Sequence, residues 1–379
     1  MTTQLVKETI YTKDFQKVLE QTEDADLRRL REKAFAYFTE NGFPTPKNEE
    51  WKYTNVAEIS NFKFQISNSE KTQENSEFLK EFDYKRNGFT ALHLAFANVV
   101  VVRIPRETSV ETPFEFNFKA DEDSANFPHI IIVAEAGSKA TIIENYESVG
   151  KSFTNSAIQI FVEDNANLTH YRVQKEVAES YHIGTTEITL KRGSYYNATN
   201  INLGAKLSRH DIHLKFTETG GEAFVDGLYL LSGDQHHDTH STIDHALPNC
   251  LSHQTYKGVL NDKSRGVFNG KVFVRENASG TDAQQSNKNL LLSNDARVDT
   301  KPQLEIFNDD VKCAHGATVG QLEEEELFYL LSRGLNETLA RNLLTYGFAE
   351  EIVNKIGIES IKKELDEAVL NRLNANLGV

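Results

Sequence analysis

Four ten-residue segments recur at intervals of 28 residues: GSKATIIENY at 137–146, NANLTHYRVQ at 165–174, GSYYNATNIN at 193–202 and GEAFVDGLYL at 221–230. Each begins with Gly or Asn, the residues that most readily adopt a left-handed turn. Three positions later, each has a residue in or at the start of a β-type run: Ala140, Leu168, Tyr196 and Phe224. A repeat of this length predicts the stacked coils of a parallel β-solenoid.

The repeat weakens beyond the fourth segment. Asn249 and Asn277 continue the 28-residue spacing, but the residues three positions later are Ser252 and Gly280. A β-sandwich built from hairpins is therefore the alternative fold.

Short β-type runs fill the region from about Ala91 to Phe307. They read VVVVRI, HIIIVAE, ATIIENY, AIQIFVE, LTHYRVQ, TEITL, IHLKF, AFVDGLYLL and KVFVRE. No helical period of useful length interrupts them, which excludes a fold of alternating strands and helices. The central part of the chain is therefore predicted to be mainly β.

Both ends of the chain have helical patterns. Residues 23–42 place apolar side chains at three- and four-residue steps and stop at Asn41-Gly42, while the polar stretch 66–80 is typical of a linker. Near the C-terminus, Thr318 and Gln321 predict a capping box before the acidic turn 323–326. Leu327, Leu330 and Leu331 form an apolar stripe that closes at Arg333-Gly334, and further helices are expected over 336–347 and 358–373.

These patterns divide the chain into three regions. We expect a helical N-terminal region at 1–88, a solenoid core at 89–316 and a helical C-terminal region at 317–379.

Composition excludes several classes of protein. The 379 residues carry 41 Lys and Arg against 56 Asp and Glu, a net charge of −15, which argues against nucleic acid or an anionic membrane as the main partner. The first residues contain no apolar run typical of a secretory signal, and the most apolar stretch, 91–104, is too short to span a bilayer. Two cysteines without a CxxC motif exclude a disulfide framework, so we expect a cytoplasmic protein.

Enzyme motifs are missing from the sequence. It has no GxGxxG and no GxSxG, and the segment Gly266–Val272 is one residue short of a phosphate loop and ends in Val where Ser or Thr would bind magnesium. Any nucleotide chemistry is therefore expected from another chain.

Histidines form one candidate metal cluster, in QHHDTHSTIDH at 235–245. On a strand, His236, Asp238 and His240 would share one face, and His237 and His245 would lie on the other. Such side chains can bind zinc or iron, but a hydrogen-bonded structural face is the favoured interpretation.

Cys313-Ala-His315 is the second candidate. On a strand its thiol and imidazole point to the same side, and both are ligands that suit iron or an iron–sulfur cluster. From the spacing alone, a buried thiol that packs as a small apolar group beside a packed histidine is the favoured interpretation. Clusters usually need four thiolates, and the two cysteines, Cys250 and Cys313, are far apart in sequence. We therefore expect no stably bound cofactor, and any metal role would be transient or shared with another subunit.

Three segments resemble a known family: NEEWKYTN at 48–55, the run from His236 to Val272, and TDAQQSNKNLLLSNDARVDTKPQLEIFNDDVKCAHGATVGQLEEEELFYLLSRG at 281–334. They are similar to the SufB/SufD family, the scaffold subunits of the SUF iron–sulfur cluster assembly system. The resemblance is strongest over residues 236–334. It implies a right-handed parallel β-helix between helical ends, in a complex with a sister scaffold, SufB, and an ABC-type ATPase, SufC.

Two departures from the sister subunit indicate the SufD branch. Ser286, in Gln284-Gln285-Ser286, stands where SufB has a cluster-building cysteine, and His315-Gly316-Ala317-Thr318 replaces its HEAT motif. The resemblance implies that His315 faces the SufB–SufD interface as a transient ligand of iron or a nascent cluster, with Cys313 a weaker candidate. It also implies that the C-terminal helices dock SufC, through candidate residues Thr318, Gln321, Leu327, Leu330, Leu331 and Arg333.

The resemblance thus implies a non-catalytic scaffold subunit, and other functions remain as alternatives. A secreted-type β-helix carbohydrate-active enzyme would need paired carboxylates, for which Asp238 and Asp244 are the nearest candidates. A free-standing His-rich metal-binding protein would use the histidine cluster. The isolated chain could also pair with itself through a solenoid edge.

Overall fold

The computed structural model describes residues 9–60, 65–66 and 76–372. Its N-terminal helical elements are α1 (Thr12–Gln21), α2 (Ala25–Asn41), the 3₁₀ turn Glu49–Trp51, α3 (Ala57–Ser60), α4 (Ser76–Leu79) and α5 (Gly88–Phe96). The helix predicted over 23–42 is confirmed as α2. Asp24 caps its start by accepting from two backbone N–H groups, and Gly42 ends it with a φ of 66°. The expected linker lies largely outside the described residues.

One prediction in this part of the chain is wrong. Residues from Ala91 to Phe96 were expected to be β-type but form most of α5. Asn87 begins this helix with a capping box to Thr90, and all of its side chains are buried. A helix that is apolar on every side has no 3.6-residue pattern, which explains why the sequence does not reveal it.

The β-strands form two parallel sheets. Sheet A consists of β1 (Gln65–Ile66), β2 (Asn98–Ile104), β4 (Ser124–Asn126), β5 (Pro128–Ala134), β7 (Phe153–Val162), β9 (Tyr181–Leu190), β11 (Leu207–Phe216), β13 (His236–His245), β15 (Arg265–Val274) and β17 (Arg297–Ile306). Sheet B consists of β3 (Phe114–Ala120), β6 (Lys139–Ser148), β8 (Asn167–Gln174), β10 (Tyr195–Asn202), β12 (Glu222–Leu231), β14 (Leu251–Leu260), β16 (Thr281–Leu291) and β18 (Val311–Gly320).

From β6 onward the chain alternates between the two sheets, so each coil adds one strand to each. All strand pairs among the described residues are parallel, and the chain is a parallel β-solenoid of about eight turns. Hairpins would pair strands antiparallel, so the sandwich alternative is wrong.

The 28-residue period is confirmed for the first coils and changes later. Ala140 pairs with Leu168 and Leu168 with Tyr196, each 28 residues apart. Tyr196 then pairs with Ala223 rather than with Phe224. The left-handed turn residues shift in the same way: they are Gly137, Asn165, Gly193, Gly220, Asn249 and Gly280, so Gly220 and Gly280 replace the expected Gly221 and Asn277.

The lumen of the solenoid is filled by apolar side chains from both sheets, including Ile160, Ile188 and Leu214 of sheet A and Leu168 and Val225 of sheet B. Each such side chain stabilises the fold by about 1.5–3 kcal/mol when buried. A second apolar layer joins the N-terminal helices to the outer face of sheet A.

The C-terminal helices are α6 (Glu324–Ser332), α7 (Glu337–Val353) and α8 (Glu359–Arg372). Apolar residues of α7 and α8 pack on the outer face of sheet B. α7 starts as predicted, with Asn336 as its cap, but it continues past Gly347 because Ile352 and Val353 are buried against the sheet. Among the described residues, no helix is long and apolar enough to cross a membrane.

The expected region boundaries fall close to element ends. α5 begins at Gly88 and β18 ends at Gly320. The division at 88 and 316 into three regions stays a prediction.

Candidate functional site

The last coil of the solenoid is open on one side. In the described chain, β17 pairs only with β15, and β18 pairs only with β16. Each is therefore an edge strand, and an edge strand presents unpaired backbone N–H and C=O groups. A long open edge of this kind favours pairing with another chain.

The inward side of β18 continues the lumen without being covered. Buried positions of β16 pair with β18 residues that are half-buried or exposed: Val311, Cys313, His315, Ala317 and Val319. On the neighbouring strand, Ile306 is 41% exposed, and Phe307 just after it is 57% exposed. Apolar side chains are therefore exposed at this end of the core.

Cys313 and His315 lie on this inward side. Cys313 pairs with the buried Ala283 and packs partly against the lumen core. Burial raises the pKa of the Cys313 thiol, so the thiol is mainly protonated at neutral pH, whereas a metal ligand must be a thiolate. His315 is exposed on the same side of the strand, beside the buried Gln285.

The outward-facing histidine cluster of β13 contacts the N-terminal segment of the same chain. His236, Asp238 and His240 point outward from sheet A, where the Thr54 hydroxyl donates to Asp238 Oδ2 at 2.5 Å and accepts from His236 Nε2 at 2.9 Å. His240 forms ion pairs with Asp238 at 3.1 Å and with Glu50 at 3.3 Å. These contacts raise the pKa of His240 to about 9 and lower that of Glu50 to about 2, against the opposing effect of burial.

Arg209 completes this contact, which we call the latch (Glu50, Trp51, Thr54, Arg209, Asp238 and His240). Arg209 Nη1 donates to the Glu50 carbonyl oxygen at 2.6 Å and to Asp238 at 2.9 Å. The guanidinium lies over the Trp51 ring, 3.8 Å from its centroid. The latch therefore joins the NEEWKYTN segment to the QHHDTH strand, and its polar groups bind one another.

In the part of the chain that the structure describes, no cluster of side chains has the arrangement of a metal site, and the candidate carboxylates do not have the spacing of a glycosidase. No group of three or more His, Cys, Asp or Glu side chains there is arranged to hold a metal ion. Asp238 and Asp244 face the same way on β13, but six residues of strand separate them by roughly 20 Å, well beyond the roughly 5–9.5 Å of glycosidase carboxyl pairs. Asp244 is also paired with Arg275 at 2.8 Å.

The helix α6 is an exposed element. Its side chains include none that are buried, and Phe328 is 73% and Tyr329 56% exposed. Leu331 on α6 and Leu343 on α7 are also exposed, while Leu327 and Leu330 are half-buried. Arg333 is exposed and ends the helix.

The predicted capping box is wrong. Thr318 lies in β18 and pairs with Lys288, so the strand continues to Gly320, and α6 starts only after Glu323. Gln321 is exposed, and its side chain donates to Asn294 Oδ1 at 3.3 Å.

Three parts of these surfaces were missed by sequence reasoning. Phe328 and Tyr329 are not part of the stripe formed by Leu327, Leu330 and Leu331. Two adjacent aromatic residues outside that stripe were the pattern that could have indicated an exposed apolar surface. Ile306 and Phe307 read as the end of the β region, not as its exposed rim. The pairing of Arg209 with Trp51 joins residues 158 positions apart, a contact that one sequence without relatives does not reveal.

The fold and the open end define a class: a β-solenoid protein whose last described coil ends in two edge strands. The family model "SUF system FeS cluster assembly, SufBD core domain" matches residues 116–348, and "SufBD protein N-terminal region" matches residues 6–83. The chain therefore belongs to the SufBD family of iron–sulfur cluster assembly proteins, and it is SufD-like.

Named relatives agree with this assignment. An iron–sulfur cluster assembly SufBD family protein of Synechocystis is 33% identical over 97% of this chain and 97% of its own length. The iron–sulfur cluster assembly protein SufD of Escherichia coli is 35% identical over 66% of this chain and 60% of its own length. SufD of Bacillus subtilis is 31% identical over 73% of this chain and 64% of its own length.

Proposed function

We propose that this chain is a cytosolic, SufD-type scaffold subunit that pairs with a SufB-like scaffold and docks a SufC-like ATPase. It would catalyse no reaction alone, and ATP hydrolysis would belong to the ATPase. Iron or a nascent iron–sulfur cluster is its cargo, held transiently at the junction with the sister scaffold.

The open last coil supports the pairing with a sister scaffold. A partner coil placed against β17 and β18 would extend both sheets and satisfy the free edges. It would also cover the inward side chains of β18, among them Val319, which is 46% exposed. A second copy of this chain is the competing occupant, since its edge is chemically the same.

The exposed face of α6 supports docking of an ATPase. Phe328, Tyr329 and Leu331 of α6 and Leu343 of the next helix are all exposed apolar side chains, and aromatic side chains are typical of binding hot spots. Thr318, Gln321 and Arg333 are exposed nearby in sequence and remain candidate docking residues.

His315 is the proposed ligand for the cargo. It lies at the junction that a partner would close, and its imidazole is a suitable ligand for iron. Cys313 ranks second because burial raises its thiol pKa. Two ATPase subunits that close on ATP binding would move the scaffolds relative to each other, and a ligand exposed in only one of the two states would couple ATP to cluster formation.

Co-purification tests the pairing directly. The chain is co-expressed with a SufB-like scaffold and a SufC-like ATPase, as wild type, as Val319→Asp and as Ala314→Asp. Val319 faces inward on β18 and Ala314 faces outward on the same exposed strand, so the two variants place the same charge on opposite sides.

We expect Val319→Asp to lose the sister scaffold and Ala314→Asp to keep it. Retention of the sister scaffold by both variants would refute pairing through the last coil. Recovery of only a homodimer from the wild-type co-expression would favour self-pairing instead.

A further inference from the structure

A cavity of about 230 Å³ lies beside the latch, between the N-terminal segment and the outer face of sheet A. Its wall includes Glu50 and Trp51, the start of α5, and outward side chains of β11, β13 and β15. The volume equals that of about eight water molecules, so it also suffices for a small organic molecule.

Three buried polar atoms without a hydrogen-bond partner in the described part of the chain belong to residues that line this cavity. They are Arg86 Nη1, His213 Nε2 and Asn269 Oδ1. Buried polar atoms are normally paired, because leaving one unpaired is unfavourable. The three atoms belong to separate elements of the cavity wall and are themselves closed to solvent, so an occupant would reach them only after a small shift of these side chains.

The charges around the cavity indicate the sign of that occupant. Arg86 keeps one nitrogen unpaired although its Nη2 binds Glu187 at 2.8 Å. Lys271 Nζ lies 3.9 Å from Glu50 Oε1, which is too far for a hydrogen bond, and the Lys271 side chain is 24% exposed. The other cations, Arg209 and His240, are paired with the carboxylates of Asp211 and Asp238 and contribute little free charge.

Arg86 and Lys271 are therefore the two cationic groups with donor capacity left. His213 adds a neutral imidazole, because burial and then the nearby Arg86 charge lower its pKa to about 3. Trp51 and Phe273 contribute aromatic rings to the same wall. An arrangement of guanidinium, ammonium and imidazole groups fits a carboxylate or a phosphate, whose oxygens accept several hydrogen bonds at once.

We propose that this cavity is a binding site for a small carboxylate- or phosphate-bearing anion, with Arg86 and Lys271 as its charged contacts. The site is separate from the open last coil. Its occupancy would bridge α5, the N-terminal segment and three strands of sheet A, and would therefore stabilise the latch against opening.

Calorimetric titration of the full-length chain with citrate and, separately, with inorganic phosphate tests the site. The variants are Arg86→Gln, Lys271→Gln and the control Lys301→Gln. Lys301 is a matched control because it lies on the next strand, pairs with Glu49 at 3.2 Å and is not part of the cavity wall. Circular dichroism checks that each variant is folded, and Lys271→Gln keeps the test valid if Arg86→Gln fails to fold.

We expect saturable binding of at least one anion to the wild type and to Lys301→Gln. Lys271→Gln and Arg86→Gln should each weaken it about tenfold, the effect of removing one charge-assisted hydrogen bond. Binding of citrate but not phosphate would assign a carboxylate ligand, and the reverse would assign a phosphate. Absence of saturable binding of both anions at millimolar concentration, or equal binding by all variants, would overturn the proposal.

Discussion

Gln285 on β16 pairs directly with His315 on β18, and the two residues continue one inward-facing column of the solenoid. Gln285 is 3% exposed whereas His315 is exposed, so the boundary between lumen and solvent runs between them. Gln285 donates to Gln254 at 2.8 Å, and its Oε1 has no partner among the described residues.

This relationship predicts the effect of His315→Ala. We expect the variant to form the complete complex with the sister scaffold and the ATPase but to assemble clusters at least tenfold more slowly. The measurement is cluster absorbance in the reconstituted complex, with complex formation followed by size-exclusion chromatography. Lys312→Ala, an exposed residue on the outward side of β18, should assemble clusters at the wild-type rate. Normal assembly by His315→Ala in an intact complex would remove this residue from the mechanism.

A second prediction concerns docking of the ATPase. Phe328 is 73% exposed and supports no core, so Phe328→Asp should change the free energy of unfolding of the isolated chain by less than about 0.5 kcal/mol. The same change should abolish co-purification of the ATPase, because a charge replaces a central aromatic contact. Lys363→Asp, an exposed change on α8, is the control and should retain the ATPase. ATPase recovery with Phe328→Asp would show that α6 is not the docking surface.

The sequence was sufficient to predict the solenoid because its repeat depends on turn geometry. Gly and Asn recur where the backbone needs a positive φ, and that requirement is visible residue by residue. The drift to Gly220 and Gly280 was not predictable, because a coil can gain or lose a residue in a surface turn without changing its strands.

The candidate site was predicted only in part. The spacing of Cys313 and His315 places both on one side of a strand, but whether that side is covered depends on the strands around it. The structural role of the QHHDTH cluster depends on Thr54 and Glu50, more than 180 residues away from their partners in sequence. Contacts between such distant residues are set by the fold and leave no local pattern.

A third prediction concerns the latch. Arg209 is buried and binds Asp211, Asp238 and the Glu50 carbonyl, so Arg209→Met removes the guanidinium from two buried carboxylates, of which Asp238 keeps its ion pair with His240. We expect the free energy of unfolding to fall by about 3–5 kcal/mol, the usual effect of breaking a buried ion pair. Arg275→Met, which breaks a more exposed pair with Asp244, should cost less than about 1 kcal/mol. Urea denaturation measures both, and equal losses would contradict a structural role for the latch.

The fourth prediction is a pH dependence of stability. The folded-state pKa of His240 is raised to about 9, above an unfolded value of about 6.5. The contribution of protonated His240 to the free energy of unfolding is therefore complete below pH 6.5, and it is lost as the pH rises through 9. The stability difference between wild type and His240→Gln should shrink over this range by up to about 3 kcal/mol.

His245→Gln is the control for this titration. Burial lowers the pKa of His245 to about 4, so its contribution changes between about pH 4 and 6.5 and not in the alkaline range. Denaturant unfolding at pH 6, 7, 8, 9 and 10 gives the free energy of unfolding against pH for the wild type, His240→Gln and His245→Gln. A constant difference between wild type and His240→Gln across these pH values would rule out a protonated His240 in the latch.

The fifth prediction follows from the packing of the lumen between β12 and β14. Gly227 pairs with Tyr256 and Tyr229 pairs with Gly258, so each strand places a tyrosine ring over a glycine of the other. A Cβ atom on Gly227 would lie 2.1 Å from Tyr256 Cε1, and one on Gly258 would lie 2.2 Å from Tyr229 Cε2. These glycines are required by the rings beside them, since both tyrosines are buried in the lumen.

Gly227→Ala should therefore destabilise the isolated chain by about 1–3 kcal/mol, the usual cost of overpacking a core. Gly316→Ala is the matched control, because Gly316 also lies in a strand of sheet B but has no atom within 4 Å of an added Cβ. Its effect should stay within about 0.5 kcal/mol. Urea denaturation measures the free energy of unfolding of both variants. If Gly227→Ala were as stable as Gly316→Ala, the Tyr256 ring would be able to move aside, and the lumen would not be tightly packed at this contact.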